Sequence, residues 1–281
     1  MAGGQNPLQW YPGHMAKAGR QIGEKLKLID VVIELVDARV PQKGRNPDIS
    51  RYTKHKKHIL VLNKADLADP DETARWLSRL SAIDAADRVI AFTAYNAKAR
   101  AALIDAVKSV NAKGMAGQKC LICGIPNVGK SAVINTLIGR KKAVTGNRPG
   151  VTKGQQWLKT DEGLLLLDTP GILWPKFDDE QTGVELAWIA AIKDTIYEPE
   201  NIAGDLVRFL LTYYPERLSA RYGIDAASMK AFEVFDAVAE AKKLVVRGGE
   251  PDYLRTSQMI LKDFRDGKMG RMTIDRCAGD D

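Results

Sequence analysis

The sequence predicts an α/β domain built on a mostly parallel sheet, followed by a small all-α domain. Three observations carry this. Short runs rich in Val, Ile and Leu recur through the first 170 residues. Helical patterns of 10–15 residues separate them, the rhythm of parallel βαβ units. From about residue 180 the apolar residues recur only at helical spacing.

The elements follow in order. Residues 14–28 read as a helix with Met15, Ile22, Leu26 and Ile29 beside a basic face. Residues 29–37 (IDVVIELVD) and 58–63 (HILVLN) read as buried strands. Pro70-Asp71-Glu72 opens a helix over 70–82 that buries Trp76, Leu77 and Leu80. Residues 88–92 and 119–123 are two more strands, and the Ala-rich stretch 96–110 is a helix between them. A helix over 132–139, a loop over 144–154 and strands near 155–160 and 163–168 complete the first domain. The domains are therefore 1–178 and 179–281. In the second, only Leu244-Val245-Val246 reads as a short strand.

The chain has 281 residues, 42 Lys+Arg and 35 Asp+Glu, a formal charge of +7. At 45% hydrophobic and 27% charged it is neither disordered nor fibrous. No apolar stretch reaches the ~18 residues of a membrane span. Cys120, Cys123 and Cys277 cannot form a disulfide framework, and this points to a reducing compartment. Residues 1–179 carry 28 basic and 17 acidic residues, a net of +11, and residues 180–281 carry 14 and 18, a net of −4. A basic N-terminal half fits a polyanionic partner, most simply nucleic acid, or else a solubilising surface.

Gly124-Ile-Pro-Asn-Val-Gly129-Lys130-Ser131 matches the phosphate-loop pattern G-x-x-x-x-G-K-[ST], between a strand and a helix as that motif requires. Glycines let the backbone close on phosphate oxygens, and the helix N-terminus faces the anion. The loop and first helical turn, Gly124, Asn127, Val128, Gly129, Lys130, Ser131 and Ala132, form the phosphate-binding element. Lys130 would reach the β- and γ-phosphates and Ser131 would ligate Mg²⁺. Asp168-Thr-Pro-Gly171 ends an apolar strand, where Asp168 can hold Mg²⁺ and the Gly171 N–H can approach the γ-phosphate. Asn63-Lys64-Ala65-Asp66 ends another. The Asp66 carboxylate can accept from guanine N1–H and the 2-amino group, a pattern adenine lacks. Asn63 would bind the N7/O6 side, the Lys64 stem would cover the base, and Thr93-Ala94 could offer a backbone N–H to O6. Cys120-x-x-Cys123 lies inside a strand, where i and i+3 side chains face opposite sides, so it reads as two core thiols rather than a metal pair.

These motifs resemble the GTPase set in an unusual order. N-K-x-D and Thr93-Ala94 come before the phosphate loop instead of after D-x-x-G. The chain is thus similar to circularly permuted GTPases, in particular the bacterial YlqF/RbgA ribosome-assembly GTPases. The likeness runs through Tyr11-Pro-Gly-His-Met-Ala-Lys17, Asp37-Ala-Arg39-Val-Pro41, the motifs above, Pro149-Gly-Val-Thr152 and Phe264-Arg-Asp-Gly-Lys-Met-Gly-Arg271.

The resemblance implies binding of GTP and GDP with Mg²⁺. It implies a switch threonine closing on Mg²⁺ and γ-phosphate, with Thr152 the choice and Thr145 its rival. Where Ras-like enzymes place a water-orienting glutamine, this chain has Ile172, which can neither donate nor accept, so the sequence predicts slow intrinsic hydrolysis or a catalytic group from elsewhere. The family likeness points to His14 instead, and to Asn127 as a ligand of an activating K⁺. The catalytic set is then His14, Lys130, Thr152 and Gly171.

The implied partners are the large ribosomal subunit and its rRNA, with no DNA, no membrane, a monomer off the ribosome and a cytoplasmic location. Ribosomal subunits are expected to stimulate turnover. The alternatives are a nucleotide-gated RNA-binding module and a switch signalling through a protein partner. The second domain resembles a small RNA-binding helical domain. In it Lys262, Arg265, Lys268 and Arg271, spaced by three, either line a phosphate-facing side or form a solvated face.

Overall fold

The computed structural model describes residues 27–47, 55–110, 116–139, 157–168 and 180–277. These fall into two compact units. One holds the described residues up to 168 together with 273–277; the other is 180–272. No helix among the described residues is long and apolar enough to cross a membrane.

The α/β unit carries six strands: β1 Val31–Asp37, β2 Lys57–Asn63, β3 Arg88–Phe92, β4 Lys119–Gly124, β5 Trp157–Lys159 and β6 Leu165–Asp168. Their order in the sheet is β3-β2-β1-β4-β6-β5. All neighbours are parallel except β5 and β6. Every residue of β1 is buried, which its near-continuous apolar run suits. Its one interior carboxylate, Glu34, lies 3.0 Å from His58 Nε2 and 3.3 Å from an Arg45 guanidinium nitrogen.

Among the described residues three helices belong to this unit: α1 Pro70–Ala82, α2 Ala97–Val110 and α3 Lys130–Ile138. Asp69 caps α1, accepting from the N–H groups of Asp71 at 2.9 Å and Glu72 at 3.2 Å. Trp76 and Leu80 of α1 cluster with Val36, Leu60 and Leu62. Helix α3 runs between two left-handed glycines, Gly129 and Gly139. Arg100 of α2 satisfies the end of α3, donating to the Thr136 and Leu137 carbonyls at 3.1 Å each.

The parallel pairing brings the strand C-termini to one edge. Asp37 of β1 pairs with Asn63 of β2, Asn63 with Phe92 of β3, Leu35 with Gly124 of β4, and Ile122 of β4 with Asp168 of β6. Every described motif therefore ends on the same side, whatever its order in the chain.

The second unit is helical: α4 Glu180–Trp188, α5 Pro199–Tyr213, α6 Pro215–Tyr222, α7 Ala231–Lys242 and α8 Tyr253–Arg265. Trp188, Leu206, Leu210, Leu218, Val234, Val238, Ile260 and Phe264 fill its interior. Leu244–Val246 contributes only a single bridge, Val245 to Pro251.

Two features differ from the sequence expectation. The first is the tail. Residues 273–277 lie with the α/β unit, not with the helices. Ile274 and Asp275 donate their N–H groups to the Arg39 carbonyl at 2.8 and 3.2 Å. A five-residue strap bonded to Arg39 through its backbone leaves no periodic signal.

The second is the basic row. Helix α8 stops at Arg265, and Gly267 and Gly270 turn the chain with φ of 71° and 91°. Lys262 pairs with Asp266 at 2.6 Å. Arg265 folds inward and donates to the Ala187 and Trp188 carbonyls at 2.8 and 3.1 Å, closing the end of α4. Lys268 pairs with Asp263 at 3.1 Å. Arg265 thus serves the fold, whereas Lys262 and Lys268 remain exposed in surface pairs, and the row does not continue along one helix.

Cys120 and Cys123 are buried in β4. Burial pushes the Cys120 thiol up to about 12, and the Cys123 thiol upward as well. Cys277 is only half-buried. Iodoacetamide at pH 8 should therefore modify Cys277 in the native protein and leave the other two intact until the chain unfolds; peptide mapping by mass spectrometry reads the outcome.

Candidate functional site

The turn after β4 is shaped for close backbone approach. Gly124 has φ +151°, and a Cβ there would sit 2.4 Å from the Leu35 carbonyl oxygen. Gly129 has φ +98°, and a Cβ would sit 2.5 Å from Asn63 Nδ2. Asn127, between them, is left-handed at φ +57° without being glycine. The glycines of the phosphate-loop pattern thus have two separate jobs. Gly124 lets the loop leave β4 against β1, and Gly129 lets α3 begin against the Asn63 side chain. Lys130 Nζ reaches back over the loop to the carbonyls of Gly124 at 3.2 Å and Ile125 at 2.9 Å. Ser131 and Ala132 are half-buried in the first turn of α3.

The N-K-x-D segment meets this loop directly. Asn63 is buried, and its Nδ2 donates to the Val128 carbonyl at 2.7 Å. Lys64 Nζ donates to the Asn127 carbonyl at 2.7 Å. Two side chains that sequence reasoning assigns to the base also hold the loop assigned to the phosphates, some 65 residues away. Lys64 takes a left-handed backbone, φ +58°, at the turn into Ala65-Asp66. Leu67 N–H donates to the Lys64 carbonyl at 2.9 Å and Ala65 N–H to the Phe92 carbonyl at 3.1 Å. Asp66 is exposed on this turn. Thr93 and Ala94 follow β3 and are half-buried. Their position is fixed by the next residue, whose N–H donates to Thr136 Oγ1 of α3 at 2.9 Å.

Sequence reasoning missed the group at the centre. Asp37 ends β1, the strand between the N-K-x-D strand and the phosphate-loop strand. Its carboxylate is wholly buried, receives Arg39 through a guanidinium fork and lies 3.1 Å from Lys64 Nζ. Burial alone would raise its pKa; the Arg39 and Lys64 charges outweigh that and hold it well below the usual carboxylate range. The signal was present in the sequence as a carboxylate closing a largely apolar run.

Not every expected residue can be placed. Asp168 ends β6 one strand from the phosphate loop, in register with Ile122. His14, Thr145, Thr152, Gly171 and Ile172 lie outside the described residues. Among the described residues no cluster of His, Cys, Asp and Glu could hold a metal by itself.

Gly129→Ala should displace the Asn63 amide and weaken guanine-nucleotide binding by about tenfold or more, because strained backbone and lost contact act together. Titration with a fluorescent GDP analogue measures this; unchanged affinity would contradict the packing described.

Comparison with known proteins gives the same picture. Residues 119–215 match the family model described as "50S ribosome-binding GTPase". The chain is 44% identical over 279 residues to the protein named ribosome biogenesis GTPase A from Priestia megaterium, covering 95% of this chain and 96% of that one. The GNP-bound crystal structure of YlqF from T. maritima superposes with a TM-score of 0.69 at 28% identity, covering 92% of this chain and 98% of that one. The GDP-bound structure of the same protein gives 0.66, at the same identity, covering 92% and 99%. Likeness of this extent, over a permuted order of motifs brought to one sheet edge, shows that the chain belongs to the ribosome biogenesis GTPase A family and is a GTPase.

Proposed function

We propose that this GTPase assists assembly of the large ribosomal subunit and reaches it through rRNA. One observation carries the reading: the N-K-x-D turn is bonded to the phosphate loop at Val128 and Asn127, so a guanine base and its phosphates have one continuous seat. The family description and the relatives' names supply the ribosome. The net charge of +11 over residues 1–179 supports a polyanionic partner. The same partner makes a cytoplasmic, monomeric protein the simplest setting.

The residue roles follow from the motifs and their chemistry. Asp66 reads the guanine edge, with Asn63, Lys64 and the Thr93-Ala94 backbone around the base. Lys130 and the amides of Gly124 to Ala132 take the phosphates. Mg²⁺ fits the donors available, the hydroxyls of Ser131 and Thr152 and the carboxylate of Asp168, all hard oxygens. Bound there, it would neutralise charge on the β- and γ-oxygens. Gly171 offers its N–H to the γ-phosphate. His14 orients the attacking water in the place where Ile172 cannot. Asn127, exposed in the loop, offers an amide oxygen to K⁺.

The test is GTP turnover, in K⁺ and in Na⁺, with purified small or large subunits. The expected result is turnover faster in K⁺ than in Na⁺, stimulated by large subunits by about tenfold or more over a slow basal rate, and not by small ones. Tight binding of large subunits in the GTP state without stimulation would favour an RNA-binding module whose hydrolysis is incidental.

A further inference from the structure

The Asp37 carboxylate does more than a buried structural pair needs to. Asp37 and Arg39 are both almost entirely buried. Oδ1 accepts from the Arg39 backbone N–H at 3.1 Å and from its Nε at 2.9 Å. Oδ2 accepts from Arg39 Nη2 at 2.9 Å and stands 3.1 Å from Lys64 Nζ. A buried ion pair is weak support for stability by itself, since apolar residues of similar volume often do as well or better. This one has a third member, and that member leaves the pair for the site. Lys64 Nζ also reaches the Asn127 carbonyl at 2.7 Å. The ammonium is therefore fixed between β1 and the phosphate loop, and its four-carbon stem must run between those anchors. A free lysine stem samples many rotamers. Holding the stem before nucleotide arrives removes the cost of ordering it from binding.

Arg39 is in turn locked by the strap. Its carbonyl accepts from Ile274 N–H at 2.8 Å and Asp275 N–H at 3.2 Å. The Asp275 carboxylate accepts from the Gln42 and Lys43 N–H groups at 2.8 and 2.9 Å, closing the loop that carries Arg39. Trp76 Nε1 donates to the Asp275 carbonyl at 2.8 Å and ties the strap to α1. In sequence the strap directly follows the helical unit. Among the described residues the chain thus passes from the α/β unit to the helical unit after Asp168 and returns at Thr273, one residue before the N–H that bonds Arg39.

We propose that Asp37 is a positioning residue for guanine-nucleotide binding: it sets Lys64, and residues 273–277 hold Arg39 so that Asp37 stays set. This rests on reading Asn63–Asp66 as the guanine-binding turn. Nucleotide affinity then depends on the C-terminal strap through Arg39, Asp37 and Lys64, a route separate from the switch segments.

The experiment is a pair of double-mutant cycles on the full chain, read as the dissociation constant of a fluorescent GDP analogue. One cycle combines Asp37→Asn with Lys64→Met, the other Asp275→Ala with Lys64→Met. With Lys64 present, Asp37→Asn should weaken binding about tenfold and Asp275→Ala about threefold; with Met at 64 each should cost less than about twofold. The KM for GTP should rise with the dissociation constant, and kcat should change much less. Equal losses in both backgrounds, or no loss in either, would overturn the proposal. Should Asp37→Asn fail to fold, the Asp275 cycle decides alone. A wild-type chain that bound no guanine nucleotide would overturn the reading beneath the proposal instead, so the two failures are distinguishable.

Discussion

One hydrogen bond organises the nucleotide end of this molecule: Asn63 Nδ2 to the Val128 carbonyl, 2.7 Å, between buried groups. It requires β2 and β4 to run parallel and end together, with β1 between them. It requires Gly129, because any Cβ there would occupy the space of the Asn63 amide. It requires the loop to expose the Val128 carbonyl, to which the left-handed turn at Asn127 contributes. Neighbouring features reinforce it. Lys64 repeats the bond one residue on, and Asp37 fixes Lys64 from the strand between.

This arrangement explains how the motif order can be rearranged without losing the site. In a parallel sheet each motif needs its strand's C-terminal end and its neighbours, not a place in the chain. The constraint that survives is spatial order, β3-β2-β1-β4-β6, with the carboxyl ends aligned in register. Reordering does have a consequence for connectivity. The D-x-x-G strand is the last of the sheet in sequence, and the chain goes from it to the helical unit before returning as the strap at Thr273.

The sheet was legible because buried parallel strands are almost uniformly apolar, and β1, β2 and β4 are runs of that kind. The phosphate loop and the N-K-x-D turn were legible because their glycines, lysines and carboxylate are chemically demanded at fixed spacing. What stayed hidden depends on partners far apart in sequence. Arg265 looked like one of four evenly spaced surface cations, yet it closes α4 through two carbonyls 77 and 78 residues away. Asn63 looked like a base reader, and its bond to Val128 could not be inferred without the sheet order. The strap had no pattern to find, since its bonds to Arg39 come from backbone N–H groups. Asp37 was visible as a carboxylate at a strand end, but its link to Lys64 exists only once β1 and β2 are paired.

The N-K-x-D turn holds the phosphate loop in place without any nucleotide, through Asn63 and Lys64. Amide hydrogen exchange on the nucleotide-free protein, wild type against Asn63→Ala, reads this hold on the loop. Exchange at residues 125–132 should accelerate by about tenfold or more on losing a buried bond, while the interior of β1 keeps its protection. Unchanged protection of the loop would contradict the claim.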